Sequence, residues 1–302
     1  MDTHSTAAKR RFLDLTAIAI CTLAWGSTWF VITLQFGVVD PVVSLVYRFA
    51  LATLVLFGWC AARGLSLRLN SAQHSAACGI GLFTFSIDYA FIYWAETRIS
   101  SAVVAVMFAT LALVNLTVFR VVFGQRAPLR AWVAAGLGAV GVALLSWSEV
   151  VHAHLDARAR GGFGMTCIAI LGASLGNVFA RRGEAAGATV AGLTAWAMAY
   201  GTLFLALFAL ATHRPWLFEP TLAYIASLLY LALVGSVVAF LFYYGLARRL
   251  GYSAASYVNA LTPVVAMTAS SLFEGKSWSA MALGAIALVL LGQWMLMRAR
   301  RG

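Results

Sequence analysis

Long apolar runs, separated by short polar turns, follow one another along almost the whole chain. Each run has about 20 residues, the length that an α-helix needs to cross a hydrocarbon core about 30 Å thick. Apolar and polar positions do not alternate within the runs, as they would in the strands of a transmembrane barrel. The pattern predicts ten helical spans, at residues 13–34, 41–62, 72–94, 99–123, 129–147, 163–181, 189–211, 222–246, 252–273 and 278–298.

The composition supports the same class of protein. Hydrophobic residues make up 62% of the 302 residues and charged residues 10%, and the mean hydropathy is +0.88. A soluble domain of this length needs far fewer apolar residues. The turns are too short for a separate soluble domain, and the first span lacks the cleavage pattern of a secretory signal. The sequence therefore indicates an all-α, multi-pass membrane protein.

The order of segments in the first half of the chain is repeated in the second half. The fourth and ninth spans end in similar polar turns, at residues 123–126 and 273–276, and each is followed by one more apolar run. Residues of the first span recur 150 positions later, as in the pairs Thr16 and Thr166, Ile18 and Ile168, Ala19 and Ala169, Ile20 and Ile170, and Gly26 and Gly176. We therefore predict an N-terminal tail at 1–12, a five-helix repeat at 13–147, a connecting loop at 148–162 and a second repeat at 163–302.

Five spans in each half have a consequence for mechanism. Because five is an odd number, the second half enters the membrane from the opposite side, and the two repeats are inverted. Inverted repeats surround a central site that rocking of the halves exposes to each side of the membrane in turn. Transport is thus the expected function.

The basic residues are distributed unevenly between the two sides of the predicted membrane. Fifteen Lys and Arg residues fall at one set of helix ends, against five at the other, namely Arg98, Arg158, Arg160, Arg214 and Lys276. The positive-inside rule then places both termini in the cytoplasm. The net charge of +11 is explained by this topology pattern, so we expect no nucleic-acid partner.

Two ionisable residues, Arg48 and Asp88, lie within the predicted spans. Both lie about 10 Å below the same membrane surface, at a rise of 1.5 Å per residue, so they could form a structural ion pair between the second and third spans. Charged groups are costly to bury in lipid and are therefore candidates for function. Either residue could instead bind the charged groups of an amino acid, and Asp88 could carry a proton.

Three amides occupy the predicted cytoplasmic halves of their spans: Asn115, Asn177 and Asn259. They could form hydrogen bonds between helices or a polar ring that contacts substrate. Pro263 follows Asn259 by one turn, removes a backbone hydrogen bond and can kink the ninth span. We therefore predict a hinge at Pro263.

Trp25 lies in the middle of the first span, too deep for the interfacial aromatic belt. It precedes Gly26, Ser27 and Thr28, and an indole beside two hydroxyls suits a cavity for flat apolar substrates. Packing or lipid contact would explain Trp25 equally well. Further candidate lining residues, for which simple packing is the alternative, are Phe83, Tyr89, Met107, Phe108, Tyr244 and Tyr257.

One catalytic pattern is present but lacks its context. Residues 172–176, Gly-Ala-Ser-Leu-Gly, match a nucleophile elbow, which requires a preceding strand and a histidine within reach. Here the pattern lies within an apolar helix, where Gly172 and Gly176 would let helices approach closely. The cysteines and histidines have no metal-ligand spacing. We expect no enzyme activity, no metal and no cofactor.

Taken together, the ten spans in inverted halves, Trp25-Gly26-Ser27, Pro41, Arg48 and the repeated turns resemble the drug/metabolite transporter superfamily of the EamA type. Within it, the sequence is most similar to the YddG-type exporters of aromatic amino acids. One departure is that the proline typical of the fourth span is replaced near Leu111, whereas Pro263 is retained in the ninth.

The resemblance implies export of amino acids, aromatic ones in particular, from the cytoplasm across a bacterial inner membrane, without ATP hydrolysis. The expected partners are the small-molecule substrate and the lipid bilayer, and a monomer would suffice although a homodimer is open. The alternatives are a carrier of the same fold for another metabolite or drug and, from a different class, an intramembrane enzyme.

Overall fold

The chain is an up-and-down array of helices in a computed structural model. The structure describes residues 3–152, 157–274, 283–284, 287–288, 291–292 and 295. We number the helices by span. They are α1 (Thr3–Thr33), α2 (Pro41–Ala62), α3 (Ser71–Ile80, Gly81–Asp88 and Tyr89–Glu96), α4 (Ser101–Phe108 and Leu111–Phe123), α5 (Leu129–His152), α6 (Ala157–Ala185), α7 (Val190–Ala211), α8 (Leu222–Ala232, Leu233–Val238 and Ala239–Leu250) and α9 (Tyr252–Ala255 and Val258–Glu274).

The all-helical membrane fold predicted from the sequence is confirmed. Six of the described helices are long and apolar enough to cross a membrane, and the two parts of α4, which meet at 40°, together make a seventh. Helices α5 and α9 coincide with the fifth and ninth predicted spans. The tenth, 278–298, lies mostly outside the described residues; within it Gly292 lies against the backbone of Ala134 in α5.

Two segments predicted to be non-helical belong to helices. Helix α1 begins at Thr3, because the residues that precede the first apolar run include Ala and Arg, which favour a helix. Of the connecting loop predicted at 148–162, residues 148–152 belong to α5 and residues 157–162 to α6. Arg158 donates a hydrogen bond to the carbonyl of Thr97 (2.7 Å), which fixes the start of α6 beside the end of α3.

Helices α3 and α8, the third helix of each half, both contain a π-helical segment in the middle, at Gly81–Asp88 and Leu233–Val238. In each segment a serine hydroxyl donates to the carbonyl five residues earlier: Ser86 to Gly81 and Ser236 to Leu231, both at 2.9 Å. The two serines are 150 positions apart. Wide helical turns of this kind are often found at functional sites.

Helices α4 and α9, the fourth helix of each half, are both interrupted. The break in α4 falls at Ala109 and Thr110, and the break in α9 at Ser256 and Tyr257. The helix continues through Pro263, so the interruption lies about two turns before the predicted hinge.

The backbone around Pro263 is compensated locally. A proline has no N–H to donate to the carbonyl four residues earlier, which here belongs to Asn259. The hydroxyl of Thr262 donates to that carbonyl at 2.9 Å. This bond satisfies the carbonyl inside the membrane and allows α9 to remain helical at the proline.

Close helix packing joins the two halves. Gly26 of α1 lies against α9, where an added Cβ would come within 2.4 Å of the Val265 side chain. Gly176 of α6 lies against the π-helical segment of α3, where an added Cβ would be 3.0 Å from Cβ of Thr84 and closer still to its hydroxyl. Glycines at these two related positions therefore permit the approach of neighbouring helices, as expected for small residues in membrane helices.

Polar contacts fix the helix ends on both faces of the array. On one face Arg214, after α7, pairs with Asp40 before α2 (3.2 Å). On the other face Arg249, at the end of α8, pairs with Asp14 of α1 (2.6 Å). Both pairs are partly exposed, so each stabilises the fold only slightly.

Candidate functional site: a central aromatic cavity

A cavity lies between the two halves, lined by three helices of each. Its walls are formed by Trp25, Thr28, Trp29 and Ile32 of α1, Thr84, Asp88, Tyr89 and Ile92 of α3, Phe108 and Leu111 of α4, Ala173 and Asn177 of α6, Phe240, Tyr243 and Tyr244 of α8, and Asn259 of α9. The volume open to the centres of water molecules is about 60 Å³, which is enough for several of them.

Aromatic rings make up much of the wall, and Trp25 stands among them. Its indole nitrogen donates to the carbonyl of Gly235 (3.2 Å), in the π-helical segment of α8. Its ring lies 5.2 Å from Phe240 and 5.1 Å from Tyr243. On the neighbouring turn Trp29 packs against Phe108 at 5.3 Å. A hydrogen bond thus holds the N–H group of the Trp25 indole, and ring contacts hold the rest of it. Together they give the cavity a rigid aromatic wall.

Four polar side chains that the sequence singled out, Thr28, Asp88, Asn177 and Asn259, lie in the cavity wall. The Asn259 amide donates to the carbonyl of Ser256 (3.3 Å) at the break in α9. Asp88 is 4% exposed, and its Oδ1 has no hydrogen-bond partner among the described residues. Burying a carboxylate oxygen without a hydrogen-bond partner costs free energy. Asp88 is therefore a candidate to accept a hydrogen bond from a bound substrate.

Arg48 is fully buried, but it lies outside the cavity wall. Its Nε donates to Ser236 (3.0 Å) and its Nη1 to Tyr93 (3.4 Å). The guanidinium also stacks on Tyr89, 4.6 Å from the ring centroid. No ion pair within 4 Å joins Arg48 to Asp88 in this structure, because the guanidinium of Arg48 turns toward Ser236 of α8.

Five other predicted lining residues also lie outside the wall. Ser27 bonds to Tyr230 (2.7 Å), and Phe83 stacks on Phe179 at 5.6 Å. Met107 is half-buried against the main core, and Tyr257 belongs to a second apolar cluster. Asn115 donates to Ser256. Contacts between helices were the stated alternative for Phe83, Met107, Asn115 and Tyr257.

The contact of Asn115 belongs to a polar node at the break in α9. The Ser256 hydroxyl donates to the carbonyl of Tyr252 (2.8 Å). Its oxygen can then accept from Asn115 and from the hydroxyl of Tyr243, which is 3.0 Å away. The node joins α4, α8 and α9 and includes one residue of the cavity wall, Tyr243.

Eight residues of the wall were not predicted from the sequence: Trp29, Ile32, Thr84, Ile92, Leu111, Ala173, Phe240 and Tyr243. Helical spacing could have found several of them. Trp29 and Ile32 follow Trp25 by four and seven residues, and Thr84 and Ile92 flank Asp88 at four residues on either side, so they share faces of their helices. A third ionisable residue was also missed, since α3 extends to Glu96, whose carboxylate oxygens are buried without a partner.

Comparison with known proteins agrees with this architecture. The model of the EamA-like transporter family matches residues 13–147 and 160–298. An uncharacterized inner membrane transporter, YedA of Escherichia coli K12, is 27% identical over 281 residues, covering 90% of this chain and 89% of YedA. The YedA proteins of E. coli O6:H1 and O157:H7 match equally well.

A solved structure shows the same fold. A protein whose crystal structure is known superimposes with a TM-score of 0.74 at 18% identity, over 95% of this chain and 98% of that one. At this level of identity the likeness concerns the fold alone.

Proposed function

Because the chain belongs to the EamA-like transporter family, whose model matches both of its halves, we propose that it exports amino acids, with a preference for phenylalanine, tyrosine and tryptophan. The carrier works by alternating access at the central cavity, as an inverted-repeat fold allows. It resides in a bacterial inner membrane, like the YedA proteins that it resembles, with both termini in the cytoplasm. This mechanism needs no cofactor, and either a monomer or a homodimer could carry it out.

The chain is a transporter and not an enzyme, and its polar groups agree with that class. The Gly172–Gly176 pattern lies within the continuous helix α6. Ser174 is fully buried, and it is absent from the cavity wall. Gly172 instead lets α6 approach α3, since an added Cβ would lie 3.0 Å from the carbonyl of Phe83 and 3.2 Å from the amide nitrogen of Asp88.

One observation above all carries the substrate proposal: aromatic rings from both halves surround a single buried carboxylate. Trp25 and Phe108 face the cavity from the first half, and Phe240, Tyr243 and Tyr244 face it from the second. Such a wall suits a flat apolar side chain, and Asp88 suits the ammonium group of an amino acid. Asn177 and Asn259 supply neutral hydrogen-bonding groups for the rest of the molecule.

A second candidate is a carrier for another small metabolite or drug of similar chemistry. The position of Arg48 favours this second candidate. This buried cation is absent from the described wall, so no guanidinium of the wall faces the carboxylate of an amino acid. The same fact argues against nucleotide sugars and other polyanions, whose charge needs buried Lys or Arg groups.

Uptake into proteoliposomes tests the proposal. Purified protein, shown to be folded, is reconstituted, and uptake of radiolabelled phenylalanine and tryptophan is measured with and without an imposed pH gradient. Saturable uptake that other amino acids compete for supports the proposal, and a response to the gradient would assign a proton-carrying role to Asp88. Uptake no greater than that of empty liposomes would contradict it and favour another metabolite within the same fold.

A further inference from the structure

The charges around the cavity are unequal. Of the described residues that form its wall, one is acidic, Asp88, and none is Lys, Arg or His. A zwitterionic amino acid brings one positive and one negative group to its site. The described wall offers an ionic partner to the positive group alone.

Arg48 is a buried cation outside the wall, and two of its three guanidinium nitrogens already have hydrogen-bond partners. Ser236 and Tyr93 accept hydrogen bonds from two of its nitrogens, and the ring of Tyr89 covers its guanidinium. The remaining nitrogen, Nη2, has no partner and lies near the backbone of α8, 3.3 Å from where a Cβ of Gly235 would stand. Arg48 therefore contacts Tyr89 and the π-helical segment of α8 without itself forming part of the wall.

Asp88 differs from Arg48 in lying in the wall itself. It is 4% exposed, and its Oδ1 has no hydrogen-bond partner among the described residues. The rings of Tyr89, Phe240, Tyr243 and Tyr244 line the same cavity. An ammonium group placed at Asp88 would gain a charge-assisted hydrogen bond and the attraction of nearby ring faces. A carboxylate placed there would meet like charge in an apolar setting, which is strongly unfavourable.

We propose that the cavity recognises its cargo through the ammonium group, which binds Asp88, and does not read the cargo's carboxylate. The substrate class then widens from aromatic amino acids to aromatic amines in general, including those with no carboxylate. This inference rests on the proposed function in placing the cargo in the central cavity. It goes beyond that function because it requires an ammonium group of the cargo and does not require a carboxylate.

Binding competition with matched probes tests this inference. Purified protein in detergent is loaded with radiolabelled phenylalanine and challenged with phenethylamine, which keeps the amine and ring, or with 3-phenylpropionate, which keeps the carboxylate and ring. We expect phenethylamine to displace phenylalanine with an apparent Kd within about threefold of phenylalanine's own, and 3-phenylpropionate to be at least about tenfold weaker. A 3-phenylpropionate affinity equal to or above that of phenethylamine would overturn the inference.

Two variants sharpen the result. Asp88→Asn keeps the size of the side chain and removes its charge, so phenethylamine should bind at least about tenfold more weakly. Glu96→Gln changes another buried carboxylate of the same helix, one outside the cavity wall, and should leave the ratio between the two probes unchanged. Unchanged phenethylamine binding by Asp88→Asn would overturn the inference, and if that variant fails to fold, the wild-type comparison decides.

The outcomes separate this inference from the proposed function. Labelled phenethylamine is also tested directly on the wild-type protein. If it binds while phenylalanine does not, the amino-acid proposal fails and recognition of the amine stands. If phenylalanine binds and only 3-phenylpropionate competes with it, the amino-acid proposal stands and recognition of the amine fails.

Discussion

Trp25 shows how one side chain can be both part of the packing and part of the cavity. Its indole N–H is fixed on the carbonyl of Gly235, and its ring packs against Phe240 and Tyr243, yet the residue still forms part of the cavity wall. The two interpretations that the sequence left open, packing and a binding surface, are therefore compatible. A rigid ring held in this way loses little entropy when a flat substrate binds to it.

Replacing Trp25 should affect aromatic substrates selectively. Trp25→Ala removes the rigid wall, so we expect the apparent affinity for tryptophan and phenylalanine to fall about tenfold and that for threonine to change much less. Competition with labelled phenylalanine measures all three. Trp59→Ala, at a tryptophan of α2 that is 41% exposed, is the control and should leave affinities unchanged. Equal losses for threonine and the aromatic substrates would show that Trp25 acts only in packing.

Thr262 is a second residue whose role the structure makes testable. Thr262→Val keeps the shape of the side chain but leaves the carbonyl of Asn259, freed by Pro263, without its donor. We expect a loss of stability of about 1 kcal/mol, measured as a lower thermal midpoint in detergent. Thr268→Val is a matched control in the same helix, since its exposed hydroxyl bonds a backbone carbonyl that no proline has freed. Equal midpoints for the two variants would contradict this role of Thr262.

At the residue scale, the presence of polar groups inside the helical spans could be read from the sequence, whereas their orientation around the helix could not. Asp88, Asn177 and Asn259 were chosen as polar groups inside spans, and all three lie in the cavity wall. Arg48 was chosen on the same grounds, but it points toward Ser236, 188 positions away in the chain. Contacts between the halves decide which neighbour a side chain packs against. Such long-range contacts cannot be read from the local sequence.

At the scale of elements, the irregular segments repeat along with the regular ones. The middle helix of each half widens into a π-helical segment, and the fourth helix of each half is interrupted. Proline is present in α9 and absent from α4, and yet both helices break, so the interruption does not depend on proline. It occurs in each half where cavity-lining residues lie close by, Phe108 and Leu111 in α4 and Asn259 in α9.

The apolar pattern predicted the bounds of α2, at residues 41–62, but not the helical extensions of α1, α5 and α6 beyond their apolar runs. The π-helical segments and the breaks could not be predicted in this way. Residues within them are as apolar as their neighbours, and what distinguishes them is the bonding of single groups, such as the hydroxyls of Ser86 and Ser236. One hydroxyl group hardly changes the mean hydropathy of a whole span, so hydropathy does not predict such a segment.

Gly176 provides the sharpest test of helix packing. Gly176→Ala would drive a methyl group into Thr84 of the π-helical segment, so we expect a destabilisation of about 1–3 kcal/mol, typical of overpacking. Gly164→Ala in the same helix has nothing within 4 Å of the added Cβ and should be neutral or slightly stabilising. Thermal midpoints in detergent compare the two variants. A Gly176→Ala protein as stable as Gly164→Ala would show that α6 and α3 do not pack as closely as described.

The whole molecule places one cavity between two related halves, with ion pairs tying helix ends on both faces. The pairs Asp40–Arg214 and Asp14–Arg249 are partly exposed and therefore weak, so either can open at small cost. Helices α1, α3 and α4 of the first half and α6, α8 and α9 of the second half all line the cavity, and helices of opposite halves pack closely around it, as α1 does on α9 and α6 on α3. Relative rocking of the halves would move these two sets of helices past each other, which is the motion that alternating access requires.

Counterflow in proteoliposomes tests this account most directly, because a carrier that alternates exchanges cargo faster than it moves empty. Vesicles loaded with unlabelled phenylalanine are diluted into a trace of labelled phenylalanine, and internal label is followed over time. The account predicts a transient accumulation of label above the equilibrium level, absent when the vesicles are loaded with an equal concentration of sucrose. Accumulation that rises to equilibrium at the same rate in both cases, with no overshoot, would contradict alternating access to one cavity.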